Sequence, residues 1–155
     1  KTAIAEVHQF KKLSGKITDE GILTVNIDLT SVESLIPIRN ERLREILFEV
    51  AQYPTAQVTG ELNMSSVGKL AIGERILLDT PFTLSLHGQT QTSTAKVIIQ
   101  RLANSALQIT TREPIILNAA DFHLSEGIQQ LQTLAKLSSI ATAIPVSAQV
   151  VFEPQ

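Results

Sequence analysis

Strict alternation of apolar and polar residues, broken once by a charged helical pattern, constrains this chain more than any other feature. It is clearest in residues 23–64. Leu23, Val25, Ile27 and Leu29 alternate with Thr24, Asn26, Asp28 and Thr30. A period of two puts one apolar face inward and one polar face outward, as in a half-buried strand. Ala56, Val58, Gly60, Leu62 and Met64 repeat the pattern. Between them Leu43, Ile46, Leu47 and Val50 fall at the i, i+3, i+4, i+7 spacing of one helical face. Glu41–Arg44 and Arg42–Glu45 have the spacing of weak ion pairs on the exposed side.

The same rhythm runs through the rest of the chain. Ala3, Ala5 and Val7 share one parity, and a short apolar segment spans Phe10, Leu13 and Ile17. Residues 76–86 and 91–101 flank His87-Gly88-Gln89, which reads as a hairpin connection. Leu107 and Ile109, then Ile115 to Leu117 beyond Pro114, predict a further interrupted strand. Val146, Ala148, Val150 and Phe152 predict the last one. A second helical stripe, Ile128, Leu131, Leu134 and Ala135, predicts a helix over residues 126–137 with Ser125 as its N-cap. About seven alternating strands with short polar turns predict one all-β, antiparallel domain over residues 1–155, a barrel or sandwich with short helices near one opening.

Composition narrows the function. At 155 residues the chain can bury a sizeable core, and 43% hydrophobic against 18% charged residues argues against disorder. Aromatics are 4% with no Trp, and the net charge is −2, which argues against nucleic acid as a partner. The absence of Cys removes disulfides, thiolate nucleophiles and Cys-based zinc sites. No apolar run reaches the ~18 residues of a spanning helix. The chain opens on KTAIAEV, already strand-like, so a targeting segment removed upstream would fit.

Catalytic motifs are sparse. His8, His87 and His123 are far apart, with no HxH or HxxxH pair to start a metal site. Ser31, Ser34 and Ser65 have no base nearby in sequence, and no GxSxG, P-loop or GxGxxG occurs. Asp28 is at an outward position, and Glu41, Glu45 and Glu49 line a helix flank that reads as solvated. Arg39, Arg42 and Arg44 are interleaved with those glutamates, which makes a salt-bridged surface more natural than an anion site. Asn63-Met64-Ser65 fits a glycosylation sequon. Asp121-Phe122 reads as a turn with a buried aromatic anchor. The chain reads as non-enzymatic, with no cofactor and no metal. What remains is an aliphatic interior, with small residues at Ala56, Gly60 and Ala148 leaving room along the axis. Such a barrel either fills with side chains or holds one small ligand.

Several segments together resemble the YceI-like family of lipocalin-like barrels that bind polyisoprenoids and other long-chain lipids. They are SGKI and LTVNIDLTSVES, then RNERLREILF, then AQYPTAQVTGEL, then DTPFTLSLHGQTQTSTAKVII and REPIILNAADFHL. The resemblance runs from about Phe10 to Phe152. It implies a barrel of about eight strands in the complete fold, a non-catalytic carrier or sequestering role, a periplasmic or secreted location, and often a homodimer. The ligand implied is a polyisoprenoid, an isoprenoid quinone or a fatty-acyl chain, with membrane contact only transient. Val25, Ile27, Leu29, Val58, Leu62, Phe82, Leu84, Val97, Ile99, Ile109 and Val150 would line an apolar tunnel, and Leu43, Leu47 and Phe48 would cover its mouth. Three features depart from the family pattern. A first strand with an aspartate and a serine is not seen, the proline usual after the hairpin glycine is replaced by Thr90-Gln91-Thr92, and residues 126–137 are extra. A solidly packed barrel serving as an interaction or dimerisation module is the alternative.

Overall fold

The computed structural model describes residues 6–154. Seven antiparallel strands form one sheet: β2 (Leu13–Ile17), β3 (Ile22–Asp28), β5 (Thr55–Glu61), β6 (Arg75–Leu86), β7 (Gln89–Arg101), β8 (Leu107–Thr111) and β11 (Gln149–Phe152). Their order is β11-β8-β7-β6-β5-β3-β2, so sequence neighbours are mostly sheet neighbours. The sheet curls until its two edges meet. A Cβ on Gly15 of β2 would lie 2.8 Å from the Phe152 ring of β11, so the absence of a side chain there lets the seam close. The result is a nearly closed barrel of seven strands, one fewer than expected of the complete fold. Ala3 and Ala5 of the expected opening strand lie outside the described residues, and Val7 is not in a strand.

Each edge continues into a short ladder beyond the barrel. On one side β1 (Gln9–Phe10) pairs with β4 (Val32–Glu33); on the other β9 (Ile115–Asn118) pairs with β10 (Ala143–Val146). Both ladders are displaced in register. Leu13 faces Ile27 but Phe10 faces Val32, so three steps on one strand match five on the other. Likewise Thr110 faces Gln149 but Ile115 faces Val146. The extra residues form bulges that bend the ladders away from the barrel wall. In the first bulge a 3-10 turn, Leu29–Ser31, is capped by Asp28, whose carboxylate accepts the Thr30 N–H at 2.9 Å. The second contains Pro114, which has no N–H to lose. The expected last strand is therefore two strands, split at Ser147 and Ala148.

The β6–β7 hairpin turns on two residues, His87 (φ 53) and Gly88 (φ 74), both left-handed as a type I′ turn requires. Gln89 already pairs with Leu86 and belongs to β7.

Helix α1 (Pro37–Arg42) starts on a proline, whose fixed φ suits the first helical position. It widens into a π turn, Leu43–Leu47, closed by the Phe48 N–H on the Leu43 carbonyl at 2.9 Å. Val50, at the end of the expected stripe, lies beyond the helix because Glu49 turns left-handed (φ 49). Among the described residues neither Glu41–Arg44 nor Arg42–Glu45 forms an ion pair. The wider π turn changes the angular spacing that an i,i+3 pair needs.

Helix α2 (Met64–Val67) was not expected, since alternation alone carried the strand through Met64. Pairing stops at Glu61, and the Asn63 side chain accepts the Ser65 N–H to start the helix instead. Helix α3 (Ser125–Leu134) is shorter than residues 126–137. Leu124, not Ser125, stands at its N-cap, without a side-chain bond. At its end Lys136 turns left-handed (φ 54), and the Leu137 N–H reaches the Gln132 carbonyl at 3.0 Å. That pairing is a Schellman stop.

Candidate functional site

Inward side chains of the barrel gather into two apolar clusters, one at each end. At the end plugged by α2 the cluster holds Leu23, Val25, Leu62, Val67, Ala95, Val97, Ile99, Leu107, Ile109 and Phe152. At the end covered by α1 and α3 it holds Leu29, Val32, Leu43, Leu47, Ala56, Leu84, Leu86, Ala119, Phe122, Leu124 and Ile128. Ile27, Val58 and Phe82 touch both clusters and are only partly covered, although Val25, Ala56 and Leu84 beside them are buried. Packing is therefore densest at the two ends and loosest at this waist.

The fold brings together every residue expected to line the tunnel. Val25, Leu62, Val97, Ile99 and Ile109 sit in the first cluster, with Val150 packed on it. Leu29, Leu43, Leu47 and Leu84 sit in the second, with Phe48 packed on it. Ile27, Val58 and Phe82 are the shared waist. Sequence reasoning passed over Phe122, Leu124 and Ile128 as members of this interior. Ile128 lies on the expected helical stripe, but the contacts that bring all three into this interior are with residues far along the chain, which no local period marks. Phe122 was read as a buried aromatic anchor, and it is 2% exposed on the 3-10 turn Ala119–Phe122.

The helical cover is assembled from three separate segments. A Cβ on Gly127 would lie 3.0 Å from the Ile46 carbonyl oxygen and 3.2 Å from the Leu47 Cα, so this glycine sets how closely α3 can approach the π turn. Phe48 meets Phe10 edge-on, ring centres 5.6 Å apart. His87, in the hairpin turn, ties the pieces together. Its Nδ1 is 2.9 Å from the Phe122 carbonyl oxygen and its Nε2 is 2.5 Å from the Glu49 carboxylate. Tyr53 packs edge-on against the same ring at 4.7 Å. Glu49 is exposed, as expected of this flank, and its carboxylate also bonds the hairpin.

The small residues do not leave the room expected of them. Leu23 reaches over Gly60, its Cδ2 3.7 Å from where a Cβ would stand, and Ala56 is 3% exposed. Ala148 is not inward at all; it is exposed in the bulge between β10 and β11, where it bonds Thr111. Two hollows lie off the axis, on the outer surface. One, about 390 Å³, is bounded by Tyr53, Pro54, Gln57, Ser85 and His87 outside the hairpin. The other, about 400 Å³, lies on the outer wall beside Gly60 and Pro81. Along the axis the two clusters meet at the half-buried Ile27, Val58 and Phe82.

Polar chemistry inside is scant. Thr80 is the buried polar side chain at an inward strand position, across from Ala95. Among the described residues no three His, Cys, Asp or Glu side chains stand together as a metal site. Asp28, outside the barrel, has its carboxyl held below the usual carboxylate range, chiefly by the hydroxyl of Thr30 at 2.6 Å. Asn63, the sequon residue, spends its side-chain oxygen on the Ser65 backbone and hydroxyl. Such an interior can bury apolar chains; it offers no acid–base pair.

A family model described as the YceI-like domain matches residues 2–152. A solved structure of a polyisoprenoid binding domain from Saccharophagus degradans, implicated in plant cell wall breakdown, is 38% identical. The match covers 100% of this chain and 89% of that one, with a TM-score of 0.95. The YceI protein of Campylobacter jejuni shares the fold at 15% identity, TM-score 0.71, over 99% of this chain and 88% of that one. BcnA of Burkholderia cenocepacia does so at 17% identity, TM-score 0.69, over 93% and 86%. No curated protein matches the sequence significantly. A family match along nearly the whole chain, on a barrel with the expected inner wall, means that this protein belongs to the YceI-like family.

Proposed function

We propose that the barrel holds a long apolar lipid, such as a polyisoprenoid, an isoprenoid quinone or a fatty-acyl chain, and carries or sequesters it without catalysis. The observation that carries this reading is the continuous aliphatic inner wall, loosest at Ile27, Val58 and Phe82 and roofed by separable helical segments. The 38% identity to a polyisoprenoid binding domain supports the same class of ligand. Affinity would come from apolar burial, about 25 cal/mol per Å², with few polar groups to select a head group or a length. A ligand would lie against this wall at the loosely packed waist, and lifting the cover of α1 and α3 is the route that breaks the fewest strand hydrogen bonds. A periplasmic or secreted location goes with this reading, and fractionation of cells expressing the full-length gene product would test it.

Organic extraction of purified protein followed by mass spectrometry tests the ligand. Recovery of a stoichiometric apolar lipid, or uptake of a polyprenol supplied in ethanol, is the expected result. If nothing is recovered and nothing can be loaded, the carrier reading fails. The second reading, a packed barrel that docks other proteins or its own copy, is favoured by Leu134 on α3, 47% exposed. A Leu131→Glu, Leu134→Glu variant that loses self-association yet still takes up lipid would favour docking through α3.

A further inference from the structure

Four large aliphatic side chains stand in solvent where β4 turns into α1. Leu35 is 85% exposed and has φ 66, a left-handed conformation that bulky side chains rarely adopt. Ile36 and Ile38 follow it, 41% and 51% exposed. Val7, 80% exposed, belongs to the same tip, because Gln9 pairs with Glu33 and Glu6 bonds the Arg39 guanidinium at 2.5 Å.

This turn is held from beneath by a buried polar side chain. Asn40 is 8% exposed, and its oxygen accepts the Ser34 N–H at 2.7 Å. Its amide donates to one oxygen of Glu33 at 3.0 Å, while the other Glu33 oxygen accepts the Leu35 N–H at 3.0 Å. The Ile36 carbonyl accepts the Asn40 N–H at 3.0 Å. Glycine or asparagine would serve a left-handed turn without strain. A leucine there accepts the strain and adds nothing to the core. Strain of this kind concentrates where a side chain is presented for a purpose.

We infer that Val7, Leu35, Ile36 and Ile38 form a docking tip that dips into the hydrocarbon of a lipid bilayer and sets the helical end of the barrel on the membrane. The inference rests on the lipid-carrying reading above. Two features point to a bilayer as the occupant. The four exposed side chains Val7, Leu35, Ile36 and Ile38 are all aliphatic. Arg42, one turn behind Ile38 on the same side of the helix, has no carboxylate within 4 Å among the described residues and would meet lipid phosphate. Exposed Glu41 beside it and the Glu6–Arg39 pair leave the tip with little net charge, so insertion rather than attraction would drive docking. The same segment runs on to Leu43 and Leu47 of the barrel cover, which places the membrane beside the exit.

Flotation of the full chain with phosphatidylcholine vesicles tests this, beside the double variant Leu35→Gly, Ile38→Ser. Glycine suits φ 66, so the variant should unfold at no lower temperature than the parent; should the double variant not fold, Leu35→Gly alone carries the comparison. The parent should float equally at low and high salt, and the variant should partition roughly tenfold less. Uptake of a polyprenol from ethanol should be the same in both proteins, whereas uptake from vesicles should fall in the variant. Equal flotation of the two proteins would overturn the inference, as would a parent that ignores vesicles. So would flotation seen only with phosphatidylglycerol and abolished by salt. If neither protein takes up polyprenol from ethanol, the carrier reading is what fails, and flotation still judges the tip.

Discussion

At the end plugged by α2, the core is made by strand residues in register: Leu23 and Val25 on β3, Val97 and Ile99 on β7, Leu107 and Ile109 on β8. At the other end most members come from turns and helices, with Leu29 on a 3-10 turn, Leu43 and Leu47 on the π turn, Phe122 on another 3-10 turn and Ile128 on α3. The first end is welded by continuous ladder bonds and cannot open without breaking the sheet. The second is three segments meeting at one histidine, so it can open while the sheet stays whole. On the carrier reading proposed above, this difference would assign the barrel wall and the plugged end to stability and the helical end to ligand exchange.

The comparison can be broken most directly at one deeply buried side chain of each end. Phe122→Ala should cost about 3–5 kcal/mol in denaturant unfolding and also speed exchange of a bound lipid. Ile99→Ala, at a side chain with 0% exposure, should cost about 2–5 kcal/mol and leave the exchange rate unchanged. Equal acceleration by both would show that the ends are not functionally distinct. At the seam, Gly15→Ala puts a methyl group against Phe152 and should cost about 1–3 kcal/mol, measured by the same unfolding curve. A neutral result there would mean that β2 and β11 are not held together.

A smaller effect sharpens the picture of the cover. His87→Asn keeps a residue that tolerates the left-handed turn but removes the bonds to Glu49 and Phe122. It should cost about 1 kcal/mol, with amide exchange accelerated in α3 and the Ala119–Phe122 turn but not in β7. The smallest effect is electrostatic. Because Asp28 has its native pKa lowered, its contribution is present above the usual carboxylate range and disappears as pH falls through the lowered value. Asp28→Asn should therefore lower stability slightly at neutral pH and match the parent at pH below the lowered value, which flattens the acid limb of the profile.

Legibility in the sequence follows the same divide. Where a side chain's environment is set by its own strand, parity was enough. Leu23 and Val25 could be placed inside from period alone, and Val97 and Ile99, implied by the family resemblance, join them in one cluster. Where it depends on a distant partner, local pattern failed. Ala148 has inward parity, but two extra residues in the opposite strand push it out into a bulge. Met64 continues the alternation of β5, yet pairing ends first and Asn63 starts a helix. Glu49 is exposed as the helix flank suggests, but nothing local shows that the hairpin brings His87 to it.

The sequence by itself determined the all-β class, the antiparallel hairpins and which face of each strand is apolar, because a two-residue period is a local property of the backbone. Only the tertiary structure decided how the seam closes over Gly15, what fills the axis, and how the cover is latched. It also decided that Leu35 should stand strained in solvent. Those outcomes depend on bulges, close approaches and hydrogen bonds between residues distant in the chain, and no period along the chain encodes them.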